Sequence, residues 1–308
     1  MSDKPVKYRG RFAPSPSGPL HFGSLVAALG SYLDARHQRG EWLVRMEDID
    51  PPREQPGAAS GILATLEAFG FEWDGEILYQ NRPARSDAYR QALDRLSDQG
   101  KTYPCACSRK EINEAGRMGV EGPIYPGTCR TGLPAGRKAR ITRVLTDEHR
   151  IGFRDLVFGD LQQNIFADAG DFIVRRADGL FAYQLAVVVD DAFQGVNRVV
   201  RGADLLRSTP RQIYLQQLLG LPTPIYAHLP LVRDAEGRKL SKQSKAQPVD
   251  CGHPLASLLA AWHFLGQAAP GHQPDSLEEF WRLAIDNWDL SQVPSDSIEL
   301  LRSTHDPV

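Results

Sequence analysis

Apolar and polar positions along the 308 residues switch repeatedly between a two-residue and a 3.6-residue period, and the switches outline the elements. Residues 8–13 read as a first strand. Pro14-Ser15-Pro16-Ser17-Gly18-Pro19 must be a loop, because three prolines and a glycine forbid regular structure. From Phe22 to about Gln38, the apolar residues Leu25, Val26, Leu29, Tyr32 and Leu33 recur at helical spacing. Trp42 to Met46 is a short apolar run, read as a buried strand, with Glu47, Asp48 and Asp50 at its C-terminal tip. Helical stretches follow around 57–69 and 86–99. Strands alternating with helices predict a parallel α/β sheet.

Residues 101–130, rich in cysteine, glycine and proline, interrupt this rhythm. Strand-like stretches return at 139–145, 151–158 and 171–176. Tyr183 to Val189 is strongly apolar, and periodicity reads it equally as strand or buried helix. Residues 196–201 predict a strand, 208–219 a helix, and 225–232 a last strand. From Pro254 onward, Leu255, Leu258, Leu259, Trp262, Phe264 and Leu265 give a helical tail its apolar face. The expectation is a doubly wound core in two halves, 1–100 and 171–245, with an insertion at 101–170 and a short helical C-terminal domain at 246–308.

Composition adds limits. The net charge is -2, so a nucleic-acid partner needs a local basic face rather than an overall attraction. No apolar run approaches the roughly 18 residues of a membrane span, and Met1 to Gly10 lacks the apolar core of a secretory signal. The expected setting is the cytoplasm, with no membrane partner. Cys105, Cys107 and Cys129 share one 25-residue window while Cys251 stands apart. In a reducing compartment that grouping favours a metal over a disulfide. Tetrahedral zinc needs a fourth ligand, and water or His149 are both available on chemistry alone.

Two distant segments carry the chemistry. Leu20-His21-Phe22-Gly23-Ser24 follows the first strand and opens a helix, whose unpaired N–H groups and partial positive charge suit phosphate. Gly23 lets a nucleotide approach the backbone, and His21 can donate to a phosphate. Lys239-Leu240-Ser241-Lys242-Gln243 follows the last strand and can neutralise phosphate charge. Each segment alone has an ordinary reading: a histidine at a helix start is often a cap, and loop lysines are usually just solvated.

In this order the pair resembles the HIGH and KMSKS signatures of class I aminoacyl-tRNA synthetases, with departures at Phe22, Ser24, Leu240 and Gln243. Residues 11–18, 45–50, 183–191 and 200–204 resemble the glutamyl branch of that class, and the likeness runs from about residue 8 to 245. The resemblance implies a Rossmann-like core that activates glutamate with ATP. It assigns His21, Gly23, Lys239 and Lys242 to catalysis, with His21, Gly23, Ser24 and Lys242 on ATP. It places Arg11, Phe12, Ala13, Pro14, Ser15, Glu47, Tyr183 and Arg201 around glutamate. The chemistry agrees: two arginines suit two carboxylates, Glu47 can accept from the ammonium, and Tyr183 and Ser15 offer neutral hydrogen bonds. Either arginine can take either carboxylate.

Within the branch, Ile124-Tyr125-Pro126-Gly127-Thr128-Cys129 resembles a segment of the bacterial glutamyl-queuosine tRNA(Asp) synthetases, in which the tyrosine completes a zinc site. The resemblance therefore implies one structural zinc on Cys105, Cys107, Tyr125 and Cys129, with Mg2+ accompanying ATP. Sixty-six residues follow Lys242, which leaves no room for the large helical anticodon-reading domain of longer glutamyl enzymes. The implied partners are L-glutamate, ATP and tRNA(Asp) carrying queuosine, and the implied state is a monomer. Two other readings of the same residues are a shortened enzyme charging the 3′ end of tRNA(Glu), and a non-catalytic RNA-binding paralogue.

Overall fold

The computed structural model describes residues 7–119, 122–233, 247–268 and 272–295. Strand β1 (Arg9–Phe12) leads through the proline loop into α1 (Phe22–His37) and back to β2 (Glu41–Met46), which runs parallel to β1. Next come α2 (Ala58–Ala68), the short β3 (Leu78–Tyr79), parallel to β2, and α3 (Pro83–Asp98). The following segment holds β4 (Thr102–Cys105), α4 (Arg109–Ala115), the β5 (Met118–Gly119)–β6 (Gly122–Pro123) pair and β7 (Ile141–Val144). Then come β8 (Arg150–Asp155), β9 (Gly159–Asn164), the one-turn α5 (Ile165–Asp168) and β10 (Ile173–Arg175). Helix α6 (Tyr183–Phe193), β11 (Arg198–Gly202), α7 (Thr209–Leu219) and β12 (Ile225–Leu229) complete the core, followed by α8 (Pro254–Phe264) and α9 (Leu277–Asn287).

The central sheet turns on one seam. The Arg9 N–H donates to Asn197 Oδ1 (2.9 Å) and the Asn197 N–H to the Arg9 carbonyl (3.1 Å), which sets β11 beside β1. Strands therefore lie in the order β3-β2-β1-β11-β12-β8-β9, parallel at β1–β2, β2–β3, β11–β12 and β12–β8 and antiparallel only at the last pair. The chain winds one way from β1 and then the other, so the crevice beyond the C-terminal ends of β1 and β11 is a topological switch point. Helix α1 covers this region closely: a Cβ on Gly30 would sit 2.6 Å from Leu229 Cδ1 of β12.

Strand pairing interleaves the expected insertion with the second half of the core. Strand β8 joins the central sheet through the pair Tyr226 and Asp155, whereas β10 completes the antiparallel sheet β10-β7-β4. The ambiguous stretch from Tyr183 is helical. It is apolar because Leu185, Ala186, Val187 and Val188 are all buried, which removes the amphipathic period. The tail is helical too, and it shares one core with the sheet rather than packing on itself. Trp262, Phe280 and Trp281 pack with Leu29, Leu33, Trp42 and Phe71, and the Trp281 indole donates to the Phe69 carbonyl (3.1 Å). Among the described residues no helix is long and apolar enough to cross a membrane.

Candidate active site

A cavity of about 440 Å³ opens at the switch point, bounded by the ends of β1, β11 and β12 and the start of α1. At the start of α1, His21 caps the helix: its Nδ1 accepts from the Ser24 N–H at 3.3 Å. His21, Gly23 and Ser24 all line the cavity. Gly23 is required by closeness, since a Cβ there would stand 3.2 Å from His21 Cε1 and press on the imidazole. Lys239 and Lys242 lie outside the described residues. The chain on either side of 234–246 does come to this place: Val232 lines the cavity, Pro248 forms a bridge with His21, and the Val249 N–H donates to the Leu20 carbonyl (2.9 Å).

Arg11, Phe12, Ala13, Pro14, Ser15, Glu47, Tyr183 and Arg201 line the same cavity. The sequence separates them by up to 190 positions, and the two halves of the sheet bring them together. Arg11 is fixed from behind. Its Nε lies 3.1 Å from Asp191 Oδ1, and the same oxygen takes Arg45 Nη2 at 2.8 Å. Arg45 Nη2 also lies 3.4 Å from Glu47 Oε1, and Arg45 Nη1 donates to Gln194 Oε1 at 2.8 Å. Asp191 is held ionised despite burial because both guanidinium groups face it. Leaving either arginine buried without that carboxylate costs about 3–5 kcal/mol. The neighbouring Asp190 faces the other way and ties α6 to α3, accepting from Arg85 Nε (2.8 Å), the Tyr89 hydroxyl (2.7 Å) and Gln80 Nε2 (2.7 Å).

Arg201, at the end of β11, differs from Arg11 in having an incomplete set of partners. Its Nε donates to His228 Nε2 (3.1 Å) and its Nη2 to Thr209 Oγ1 (2.8 Å), but Nη1 is buried with no hydrogen-bond partner among the described residues. A buried unsatisfied guanidinium nitrogen is costly; Arg201 as a residue lines the cavity, so its cation stands beside any anionic ligand held there.

Glu47 sits deep beside these cations. Burial raises its pKa above the ordinary 4.5, with Arg45 and Arg11 opposing that rise. Burial also pushes Tyr183 up to about 12, so its hydroxyl stays protonated and can donate at neutral pH. If Glu47 accepts from the substrate ammonium, kcat/KM for glutamate falls as pH falls through the Glu47 pKa of the free protein, which lies above 4.5. We expect Glu47→Gln to lose that acid limb in pH-dependent ATP–pyrophosphate exchange. An unchanged limb assigns the titration to another group.

The cysteines form a second centre in the inserted segment. Cys105, Cys107 and Cys129 are buried with their sulfurs all within 4.8 Å of one another. Cys107 Sγ and Cys129 Sγ are 3.7 Å apart, and the Tyr125 hydroxyl lies 3.4 Å from Cys105 Sγ and 3.8 Å from Cys107 Sγ. A zinc with bonds of about 2.3 Å to sulfur requires S–S edges of about 3.8 Å, so the donor set fits a tetrahedral ion. The Arg143 guanidinium stacks 3.8 Å over the Tyr125 ring, and its Nε is 3.4 Å from Cys105 Sγ. Burial opposes ionisation of Cys105, yet hydrogen bonds from Tyr125 and Arg143 bring its pKa below that of a free thiol. His149 is exposed and outside this group, and Cys251 is exposed and far from it in sequence.

Comparison with known proteins decides the family. Residues 7–256 match the family described as tRNA synthetases class I (E and Q), catalytic domain. The chain belongs to this family. Its curated relatives include the glutamyl-Q tRNA(Asp) synthetase of Dechloromonas aromatica, 58% identical across 96% of this chain and 98% of that protein. The enzyme of the same name from Chromobacterium violaceum is 54% identical across 95% and 97%. Among solved structures, a glutamate tRNA ligase from Elizabethkingia meningosepticum in complex with its amino acid superposes with a TM-score of 0.77 at 25% identity. That match covers 94% of this chain and 66% of the ligase, so the chain spans about two thirds of the longer enzyme. A class I synthetase catalytic domain works with an amino acid, ATP and tRNA, and the cavity described above lies at the switch point of this chain's sheet.

Sequence reasoning missed Arg45, Asp191, Asp155 and His228. Asp191 stands eight residues after Tyr183, which a helical assignment places near the same face. Arg45 and Asp191 both lie in segments that resemble the glutamyl branch, but neither was given a role there, because the pair meets only across the sheet.

Proposed function

We propose that the chain activates L-glutamate with ATP, without tRNA, and then transfers it to queuosine at the wobble position of tRNA(Asp). The observation that carries the amino-acid assignment is that Arg11, Arg201 and Glu47 line one cavity. Two cations and one anion complement a dicarboxylic amino acid, one carboxylate on each arginine and the ammonium on Glu47. Glutamine, with an amide in place of one carboxylate, leaves an arginine uncompensated.

Activation needs no general base. The reacting α-carboxylate is ionised at neutral pH, attacks the α-phosphorus of ATP and displaces pyrophosphate, giving glutamyl-adenylate. Our reading gives His21 and Lys242, assisted by Lys239, the charge that builds on the departing pyrophosphate, with Mg2+ accompanying ATP. A hydroxyl of the queuosine cyclopentenediol then attacks the activated carbonyl, and AMP leaves. The choice of tRNA(Asp) is supported by the named activity of relatives sharing 58% and 54% identity over nearly their full length. Cys105, Cys107, Tyr125 and Cys129 would hold one structural zinc that orders the inserted segment.

The test is incubation with ATP, labelled glutamate and fractionated tRNA, followed by nucleoside analysis. The expected label sits on queuosine of tRNA(Asp), and glutamate-dependent ATP–pyrophosphate exchange proceeds with no tRNA added. Label on the 3′ end of tRNA(Glu), with exchange only in its presence, favours the shortened glutamyl-tRNA synthetase. No exchange under either condition favours a binding paralogue.

A further inference from the structure

The cavity wall behind Arg201 contains a buried chain of three side chains. Register on the central sheet creates it: Arg201 of β11 is the direct neighbour of His228 on β12, and Tyr226 of β12 is paired with Asp155 of β8. His228 Nδ1 is 2.6 Å from Asp155 Oδ2, and His228 Nε2 is 3.1 Å from Arg201 Nε. Asp155 and His228 are fully buried, at 1% and 0% exposure.

The proton positions follow from chemistry. Arginine Nε carries a hydrogen and cannot accept, so His228 Nε2 must be the acceptor and the ring proton must sit on Nδ1, donated to Asp155. The ring is neutral, since burial pushes its pKa down to about 4 against the pull of Asp155. The Arg201 cation favours that neutral state and Asp204 opposes it, while Tyr226 stacks on the ring at 6.2 Å and the Thr209 hydroxyl lies 3.2 Å from Nε2. Asp155 is itself locked, because its Oδ1 accepts from the Val157 and Phe158 N–H groups at 3.0 Å each.

We infer that Asp155 and His228 are positioning residues for substrate: Asp155 selects the His228 tautomer, and His228 holds Arg201 Nε so that the guanidinium keeps its place at the cavity wall, beside a bound carboxylate. Without that acceptor, the guanidinium is free to rotate about its stem and satisfy itself elsewhere, and pre-organisation for the anion is lost. This inference rests on the reading that Arg201 binds a carboxylate of glutamate.

The decisive variant is Asp155→Asn. Its Oδ1 keeps the backbone bonds to Val157 and Phe158, while its amide Nδ2 now donates to His228 Nδ1. The ring must then carry its proton on Nε2 and point it at the Arg201 N–H, two donors face to face. The full chain and the variants Asp155→Asn, His228→Gln and Arg201→Lys would be compared in ATP–pyrophosphate exchange with glutamate and ATP varied separately. The histidine tautomer would be read by proton–nitrogen NMR.

Asp155→Asn should raise KM for glutamate by about tenfold or more, leave KM for ATP within about twofold, and shift the ring proton to Nε2. His228→Gln, whose amide oxygen can still accept from Arg201 Nε, should stay within about threefold of the native KM. Arg201→Lys separates the two levels of inference. If it leaves KM for glutamate unchanged, the carboxylate reading itself is wrong. If it weakens glutamate while Asp155→Asn, with its tautomer shifted, does not, the positioning chain alone is wrong. Should Asp155→Asn fail to fold, His228→Phe decides: it keeps the stack on Tyr226 and removes the acceptor. A raised glutamate KM in His228→Phe but not in His228→Gln supports the chain, and equal values in the two overturn it.

Discussion

Replacing Arg201 with alanine lowers kcat/KM for glutamate in ATP–pyrophosphate exchange by about a hundred- to a thousandfold, the usual loss for one pre-organised charge contact. The size follows from where the group sits. Arg201 is 5% exposed and lines the cavity, so a carboxylate beside it is stabilised in a poorly solvated site rather than in water. KM for ATP should change little, because the nucleotide side of the cavity is built from the start of α1. The variant should remain folded: removing the cation relieves an unsatisfied buried donor, and the His228 and Asp155 pair remains bonded. Isothermal titration with glutamate alone checks the same point without turnover. A loss below about threefold, or an equal loss for ATP, assigns the carboxylate to another group.

Removing the metal has the second large effect, and it acts on structure. Structural zinc contributes about 10–16 kcal/mol of apparent binding energy in small domains. Here it would bridge the end of β4 to the loop containing Tyr125 and Cys129, across the short α4 and the β5–β6 pair. We expect native protein to carry one zinc ion per chain by elemental analysis. A strong chelator or Cys105→Ser should remove it, lower the melting temperature, and expose residues 101–145 to proteolysis and hydrogen exchange. Cys251→Ser, an exposed thiol outside the cluster, should change neither metal content nor melting. Full melting stability in zinc-free protein would show that the three cysteines are only packed thiols.

What the sequence made legible was local. The proline loop, the α1 apolar stripe and the tip acids of β2 are readable because each is set by residues a few positions apart. The cavity-lining residues were readable for a different reason: they resemble a family pattern, and every one that lies among the described residues does line the cavity. The missing parts depend on pairing across the sheet. No short-range signal says that β8 joins β12, so 151–158 was assigned to the insertion and Asp155 was not associated with Arg201. Tyr183 to Val189 hid its helix because burial on all sides erases the period that reveals one. That same burial placed Asp190 and Asp191 on opposite tasks, one tying α3 and one fixing the arginines of β1 and β2.

The central claim is that one cavity at the seam of β1 and β11 holds both ATP and a dicarboxylic amino acid. It is tested most directly by a crystal structure of the chain bound to a non-hydrolysable glutamyl-adenylate analogue. The expected result is the phosphate mimic near His21 and Ser24 with Lys242 brought to it, one carboxylate against the Arg201 guanidinium, and the ammonium against Glu47. An analogue bound with its amino-acid end away from both Arg11 and Arg201, or with His21 and Lys242 on unrelated surfaces, would contradict it.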